Sequence, residues 1–161
     1  MKKLNPEHIK AILELINQAP YFRLLSMEVK KLDFGYSRVE VDLETKHLNP
    51  FGGLHGGVYA SIIDTAAYWA VYCELEEDAG LISLDLCVDD LSTAKDGKLI
   101  VEGKRIKLGR SICLSEATVT DLQGKLLAHG TSKQMVTTGL QSINQAVTAM
   151  GYQSLPAKFL L

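Results

Sequence analysis

This sequence has no large excess of positive or negative side chains, and it contains no long apolar run. Its 161 residues carry 17 lysines and arginines against 19 aspartates and glutamates, a formal net charge of −2. This balance provides no electrostatic footprint for nucleic acid or an anionic membrane. No segment approaches the length of a membrane-spanning helix, and the N-terminus becomes charged too early for a signal peptide. We therefore expect neither a nucleic-acid nor a membrane partner, and a cytoplasmic location.

Cysteine is scarce, and several residue patterns of known enzymes are absent. Cys73, Cys87 and Cys113 form neither a CxxC pair nor a disulfide framework, which predicts three buried thiols in a reducing compartment. The four histidines are scattered and include no HExxH motif, so we predict no metal site. Without a GxSxG elbow or a cysteine set near a histidine, serine and cysteine hydrolase mechanisms have little support.

The length and apolar content are those of an ordinary globular protein. With a hydrophobic fraction of 47%, the chain can bury one substantial core. We predict a single domain over residues 1–161. Its parts are an N-terminal helix over about 6–18, a core over about 27–136 and a C-terminal extension over about 138–161.

Residue patterns at the two ends of the chain predict helices outside the core. Asn5 and Pro6 are typical of a helix start, and Pro20 is expected to end that helix. The extension also carries apolar residues at roughly helical spacing. Its sequence leaves open whether it covers a core edge, an interface or a substrate channel.

Alternating apolar and polar residues on both sides of a central apolar stretch predict β-strands. Residues 39–43 alternate most clearly, as expected for a half-buried strand. Several strands joined by short turns and interrupted by one long helix indicate an α+β fold with an antiparallel sheet. After Gly80 the alternation predicts one face with Ile82, Leu84, Leu86 and Val88, and another with Ser83, Asp85 and Cys87.

The central stretch from about Val58 to Cys73 is apolar on nearly every side, which is typical of a buried helix. Asp64 does not fit such a helix, because an ionised carboxylate is costly to bury without a partner. It could be a structural acceptor, a general base whose pKa is raised by burial, or a nucleophile toward an acyl carbon. A buried aspartate alone is about as often structural as catalytic.

Two glycines, Gly56 and Gly57, directly precede this helix. The first N–H groups of a helix lack intrahelical partners and can hold a developing oxyanion, although such a pair more often only permits a tight turn. Asp64 lies eight residues beyond Gly56, roughly 12 Å along a helix. If both act on one carbonyl, a second copy of the helix must supply one of them, which predicts paired sites at a two-fold dimer interface.

Three polar residues near the glycines are further candidates. Asn49 carries an amide that can orient water or a carbonyl, although a turn role before Pro50 is nearly as plausible. His55 could stabilise the loop or polarise a carbonyl, and His47 could be an ordinary loop histidine. Together with Asp64, these residues favour catalysis over a purely structural role.

This set of residues resembles the signature of the PaaI-type hotdog-fold acyl-CoA thioesterases. The resemblance extends over roughly residues 27–136 and includes Ser83 and a turn at Gly109. The motif reads His47-x-Asn49-x-x-Gly52-x-x-His55-Gly56-Gly57, followed seven residues later by Asp64.

The resemblance implies a hotdog fold, in which a curved antiparallel sheet wraps a long central helix. Two subunits would pair into a homodimer with active sites at their interface, and dimers of this family often form homotetramers. The Gly56 N–H would hold the thioester oxygen, with Asn49 and His55 positioning the thioester or the water from the same side. Asp64 and Ser83 of the partner subunit would activate or orient the attacking water.

The same resemblance implies how coenzyme A and the acyl group bind. Gly57 would contribute to substrate binding, and Lys107 and Arg110, which flank Gly109, would lie near the phosphates. These two basic residues are equally plausible as solvated turn residues. Tyr68 stands where the family often has a small residue, so it is expected to reshape the acyl channel. No bound cofactor or metal is required, because coenzyme A arrives as part of the substrate.

The implied activity is hydrolysis of a small to medium acyl-CoA, aryl or aliphatic, to the free acid and coenzyme A. Water activated by Asp64, or Asp64 acting as the nucleophile, would attack the thioester. One alternative is an enzyme acting on acyl-ACP or in a hydratase-like reaction, but the His-and-acid pattern of hotdog dehydratases is missing. Another is a non-catalytic acyl-CoA sensor, although the N-terminal helix is too short for the DNA-binding segment that such regulators carry.

Overall fold

The structure is a computed structural model that describes residues 2–160. Met1 and Leu161, the two ends of the predicted 1–161 domain, lie outside the described residues. The elements in chain order are β1 (Lys3–Leu4), α1 (Pro6–Ile16), α2 (Pro20–Leu24), β2 (Met27–Asp33), β3 (Tyr36–Asp42), a short 3-10 turn (Thr45–His47), α3 (Gly56–Tyr72), β4 (Ala79–Asp90), β5 (Lys98–Lys107), β6 (Ile112–Thr120), β7 (Leu126–Thr138), α4 (Ile143–Ala149) and β8 (Phe159–Leu160).

A six-stranded antiparallel sheet packs along the 17-residue helix α3. The strand order is β2-β3-β5-β6-β7-β4, so β2 and β4 form its edges. Ile62, Ile63 and Ala66 on α3 are completely buried, because this helix is apolar on nearly all sides. The predicted α+β class and the hotdog arrangement, a long central helix wrapped by an antiparallel sheet, are confirmed.

The backbone of α3 comes unusually close to the sheet. The side chain of Ser37 donates a hydrogen bond to the Ala66 carbonyl at 2.6 Å, and Ser115 donates to the Ala67 carbonyl at 2.8 Å. On β5, a Cβ added to Gly103 would lie 2.2 Å from the Ala66 carbonyl oxygen. Only glycine fits there, so this residue sets how closely the helix and the sheet approach.

The N-terminal helices differ from the prediction near Pro20. Helix α1 begins as predicted, with the Asn5 side chain accepting from the Glu7 N–H, but it ends at Ile16. Pro20, predicted to end that helix, is instead the first residue of α2. A proline suits the first position of a helix because its fixed φ is helical and its missing N–H would have had no partner.

The predicted faces of β4 are wrong in its first half. A register shift falls between Ser83 and Asp85, which pair with Gln134 and Lys133 on β7. This β-bulge leaves Leu84 as the extra residue, and the alternation of faces reverses there. Ser83 therefore shares the face toward α3 with Leu86 instead of with Asp85.

The cysteine prediction holds for two of the three residues. Cys73 and Cys113 are buried, whereas Cys87 is exposed. Cys87 lies with Asp85 on the outer face of the edge strand β4, the face that the alternation itself assigned to it, so the alternation rather than the scarcity of cysteine was the correct guide to its exposure. Within residues 2–160, no helix is long and apolar enough to cross a bilayer.

The C-terminal extension is anchored at the far end of α3. Strand β8 pairs antiparallel with β1 at the N-terminus of the chain. The side chain of Lys158 is buried, and its Nζ donates to the carbonyls of Leu75 and Glu76, each at 3.1 Å, near the C-terminus of α3. Burial lowers the pKa of Lys158 to about 8, and a cation near a helix C-terminus is favourable.

The tight approach at Gly103 yields a stability prediction. We expect Gly103→Ala to lower the free energy of unfolding by about 1–3 kcal/mol, because the new methyl group meets the α3 backbone. The adjacent Lys104 is exposed, so the control Lys104→Ala should stay within about 0.5 kcal/mol of the wild type. Urea unfolding followed by circular dichroism measures both changes, and equal stability of the two variants would contradict this account of the packing.

Candidate active site

Asp64 lies halfway along α3 and accepts a hydrogen bond from a strand residue. The hydroxyl of Ser83 donates to Asp64 Oδ1 at 3.0 Å. Burial raises the pKa of the Asp64 carboxyl group, and the bond from Ser83 partly offsets this rise. The β4 bulge provides this contact by keeping Ser83 on the face toward the helix. A half-buried carboxylate with a raised pKa and one oriented neighbour has the features of a general base.

Asp64 lines two adjacent spaces, a cavity and a groove. A cavity of about 490 Å³ lies between α1, α2, α3 and α4, and Asp64, Thr65 and Tyr68 are part of its wall. A groove of about 540 Å³ runs between α2, α3 and β4, and Asp64, Thr65 and Ser83 line it. A molecule that extends from the groove into the cavity would therefore pass directly beside the Asp64 carboxylate.

The N-terminus of α3 carries a different set of groups. The His55 ring caps the helix, with Nδ1 accepting from the Gly57 N–H at 2.8 Å. Gly57 was predicted to contribute to substrate binding, and its N–H is occupied within the chain by this bond. The Gly56 N–H has no hydrogen-bond acceptor among residues 2–160. A Cβ on Gly56 would lie 2.6 Å from Asp90 Oδ2, so a side chain there would have to displace that carboxylate.

The loop before α3 is organised by the other polar residues of the motif. Asn49 Oδ1 accepts from the Phe51 N–H at 2.9 Å and from the Gly53 N–H at 3.2 Å. His47 is buried, with Nδ1 accepting from the Glu44 N–H and Nε2 lying 2.8 Å from the Leu25 carbonyl oxygen. His47 thus supports the loop, while the Asn49 amide nitrogen makes only a 3.5 Å contact, with the Leu54 carbonyl.

One chain holds two incomplete sets of predicted site residues. Asp64, Ser83 and Tyr68 lie together near the middle of α3, whereas Asn49, His55 and Gly56 lie at its N-terminus. Eight residues of helix separate Gly56 from Asp64, roughly 12 Å at 1.5 Å per residue. The chain itself therefore does not bring the candidate oxyanion donor to the candidate base.

The predicted coenzyme A residues lie in the turn between β5 and β6. Lys107 and Arg110 are both exposed, and neither makes an ion pair within the described part of the chain. Gly109 permits the tight turn, because a Cβ there would lie 2.1 Å from the Ile112 carbonyl oxygen. The turn thus presents two positive charges to solvent at the end of the sheet.

Tyr68 lines the cavity and donates from its hydroxyl group to the Leu81 carbonyl at 3.2 Å. Its ring meets Trp69 edge-on, with the ring centroids 5.3 Å apart. The sequence predicted this aromatic contribution but left open whether the C-terminal extension covers a substrate channel, because only the folded chain brings α4 to α3.

The described structure contains no second candidate catalytic centre built on a reactive cysteine or a metal ion. Burial raises the pKa of the Cys73 thiol to about 12 and also raises that of Cys113, which disfavours the reactive thiolate form. No group of three or more histidine, cysteine, aspartate or glutamate side chains among residues 2–160 is placed to hold a metal ion.

Comparison with known proteins identifies relatives of the chain. The thioesterase superfamily matches residues 51–128, which include all of α3. Mouse acyl-coenzyme A thioesterase 13 is 25% identical over 128 residues, spanning 77% of this chain and 91% of its own. A Haemophilus influenzae protein classed with the esterases is 30% identical over 95 residues, spanning 58% of this chain and 69% of its own.

The fold has close counterparts among solved structures. A thioesterase from Haemophilus influenzae superposes with a TM-score of 0.78 at 21% identity, covering 87% of this chain and 97% of that one. This match shows a common fold, and the sequence matches confirm the family resemblance found in the motif. The chain therefore belongs to the thioesterase superfamily and is a thioester hydrolase with the hotdog fold.

Proposed function

We propose that the chain hydrolyses the thioester bond of small to medium acyl-CoA molecules, aryl or aliphatic, to the free acid and coenzyme A. The observation that carries this proposal is the Asp64–Ser83 pair at the junction of the groove and the cavity. A relative named acyl-coenzyme A thioesterase 13 and another named 1,4-dihydroxy-2-naphthoyl-CoA hydrolase support a coenzyme A thioester as the substrate.

In the proposed reaction, Asp64 takes a proton from a water molecule that Ser83 helps to orient. The resulting hydroxide attacks the thioester carbonyl carbon, and the negative charge that develops on its oxygen is held by the Gly56 N–H. The carbon–sulfur bond then breaks, and the departing coenzyme A thiolate takes the proton that Asp64 had accepted from water. The same position also allows the carboxylate to attack the carbonyl carbon directly, which breaks the carbon–sulfur bond and releases the coenzyme A thiolate. Water then hydrolyses the resulting anhydride to the free acid and the Asp64 carboxylate, and a proton from this step passes to the thiolate.

The distance between Gly56 and Asp64 supports a dimeric enzyme. The edge strand β4 has no neighbour on its outer side within the described chain, and Leu84 and Leu86 on it are 51% and 37% exposed. Pairing two β4 edges about a two-fold axis would bury these leucines and align two α3 helices antiparallel. The Gly56 end of one helix would then approach Asp64 of the other, giving two sites per dimer.

Coenzyme A would lie along the outside of this interface. The two positive charges of Lys107 and Arg110 suit its phosphate groups, since both side chains are exposed and unpaired within residues 2–160. We propose a cytoplasmic homodimer, or a homotetramer built from two such dimers. Its substrate carries the coenzyme A, so the proposed reaction uses no resident cofactor.

Removing the proposed base tests the assignment. We expect Asp64→Asn to lower kcat by about 10²–10⁴-fold, because the amide preserves the shape of the carboxylate but cannot accept the proton. A thiol-release assay over aryl-, short- and medium-chain acyl-CoA measures this loss. The exposed Asp96 provides the control, and Asp96→Asn should retain the full rate. A near-wild-type rate in Asp64→Asn would reject the proposed role.

The raised pKa of Asp64 predicts the acid side of the pH profile. The base must be ionised, so kcat/KM should fall as the pH drops through a value above the ordinary aspartate pKa. Ser83→Ala removes a hydrogen bond that favours the carboxylate, so this acid limb should move to higher pH. Initial rates over a pH series measure the shift. An unchanged limb, or one moved to lower pH, would show that Ser83 does not tune this group.

Mixing two inactive variants tests the shared site. Gly56→Pro removes the proposed oxyanion N–H, and the extended His55 before it is compatible with proline at the first position of α3. The new Cβ displaces the carboxylate of Asp90, which is exposed and can turn toward solvent. Alone, Gly56→Pro and Asp64→Asn should both be nearly inactive. In a mixed dimer one site keeps both groups, so equal mixing with subunit exchange should restore about a quarter of the wild-type activity. If the site lies within one subunit, mixing will restore nothing.

A further inference from the structure

The cavity beside Asp64 has a wall that comes from outside the part of the chain matched by the thioesterase superfamily. That match ends at residue 128, whereas one side of the cavity is formed by α4 and its flanking residues. Ile143, Ala146 and Met150 line this space together with Phe22 and Trp69. The C-terminal extension therefore covers one side of the cavity, which begins at the proposed base Asp64.

The segment that leads into α4 is attached to the sheet. The Thr137 hydroxyl donates to the Leu140 carbonyl, and this carbonyl lies against Gly80 at the beginning of β4. A Cβ at Gly80 would come within 1.8 Å of that carbonyl oxygen, so only glycine allows the chain to turn there. Ser142 then caps α4 by accepting from the Gln145 N–H.

The chain beyond α4 is also held. The ring of His8 on α1 makes two 2.6 Å hydrogen bonds, one with the Pro156 carbonyl and one with the Tyr72 hydroxyl. Lys158 donates to the carbonyl of Tyr72, the last residue of α3, and to the carbonyls of Leu75 and Glu76 just beyond it. With both ends fixed, α4 stays at a defined distance from α3, so the width of the cavity is a fixed property of the fold.

The chemistry of the lining indicates which acyl groups fit. The walls are mainly aliphatic and aromatic, and no lysine, arginine or histidine is among the lining residues. Among the described residues that line the cavity, Asp64 is the only charged one, and it lies at the end next to the groove. A second carboxylate at the far end of an acyl chain would leave water for a mainly apolar space without a counter-charge, which is costly. The volume of about 490 Å³ is typical of a site for one small molecule.

We propose that α4 is the specificity-determining wall of the acyl site, which selects uncharged apolar acyl groups and limits their length at Ala146 and Ala149. This inference rests on the proposed thioester hydrolysis at Asp64. Both alanines line the cavity, and their small side chains leave the space that a longer acyl group would occupy. The sequence of the extension, and not only the shared thioesterase core, would then decide the substrate range.

Filling the cavity from α4 tests the proposal. In Ala146→Phe and Ala149→Phe, we expect kcat/KM for decanoyl-CoA to fall by about tenfold or more, while the value for butyryl-CoA changes by less than about twofold. The matched control is Thr148→Phe, which adds the same ring to an exposed position of α4 outside the lining. Its chain-length profile should match the wild type. Ala149 is exposed, so this variant keeps the test valid if Ala146→Phe does not fold.

A second arm compares octanoyl-CoA with its ω-carboxylated analogue. The wild type should prefer octanoyl-CoA by about tenfold or more in kcat/KM, because the cavity offers the distal carboxylate no cation. Equal rates for the two substrates, or parallel chain-length profiles of both folded phenylalanine variants and the wild type, would overturn the proposal.

Binding without turnover separates this inference from the proposed reaction. Trp69 is the single tryptophan of the sequence and lines the cavity, so its fluorescence reports on acyl entry. Decanoyl-CoA should change the Trp69 emission of Asp64→Asn, coenzyme A alone should not, and adding Ala149→Phe should abolish the change. If this signal appears but the wild type hydrolyses no acyl-CoA, only the proposed reaction fails. If Asp64-dependent hydrolysis occurs without the signal and without altered profiles, only the role of α4 fails.

Discussion

The backbone of α3 is held against the sheet at a distance that only small side chains permit. Serines at 37 and 115 donate to consecutive helix carbonyls, and Gly103 leaves room for the helix to approach β5. Because the interior is close-packed, this contact sets both the depth and the rotation of the helix. Asp64 precedes Ala66 by two residues, so its position depends on this contact. A helix farther from the sheet would carry the carboxylate away from the Ser83 hydroxyl.

The same helix explains why one chain cannot bring all the proposed catalytic groups to one site. A rigid α-helix keeps its N-terminal donors and its central carboxylate about two turns apart, and no side-chain rotation can close that distance. Its N-terminus carries the Gly56 N–H, which has no acceptor among residues 2–160, while its middle carries Asp64, the proposed base, which accepts a hydrogen bond from Ser83. The exposed edge of β4 lies beside the groove at Asp64, which makes that edge the natural place for a second copy.

The C-terminal extension places a helix, α4, outside residues 51–128, the part of the chain that the superfamily matches. A helix of seven residues has little stability alone, so its position depends on contacts at both ends and on the apolar surface beneath it. Those contacts reach β4, α1 and the end of α3, elements distant in sequence. In this arrangement Asp64 comes from the central helix, within the residues that the superfamily matches, and α4 lines the space beyond it.

The sequence alone determined the α+β class, the buried central helix and the prominence of Asp64 and Gly56, because hydrophobic periodicity and a misplaced charge are local signals. It also indicated, through the length of the helix, that the two residues lie apart. The β4 bulge, the exposure of Cys87 and the helix starting at Pro20 were mispredicted. These features, and the place of α4 over the cavity, were decided only by the tertiary structure. Strand register and long-range packing depend on contacts between residues that are distant in sequence, and a local sequence pattern does not specify those contacts.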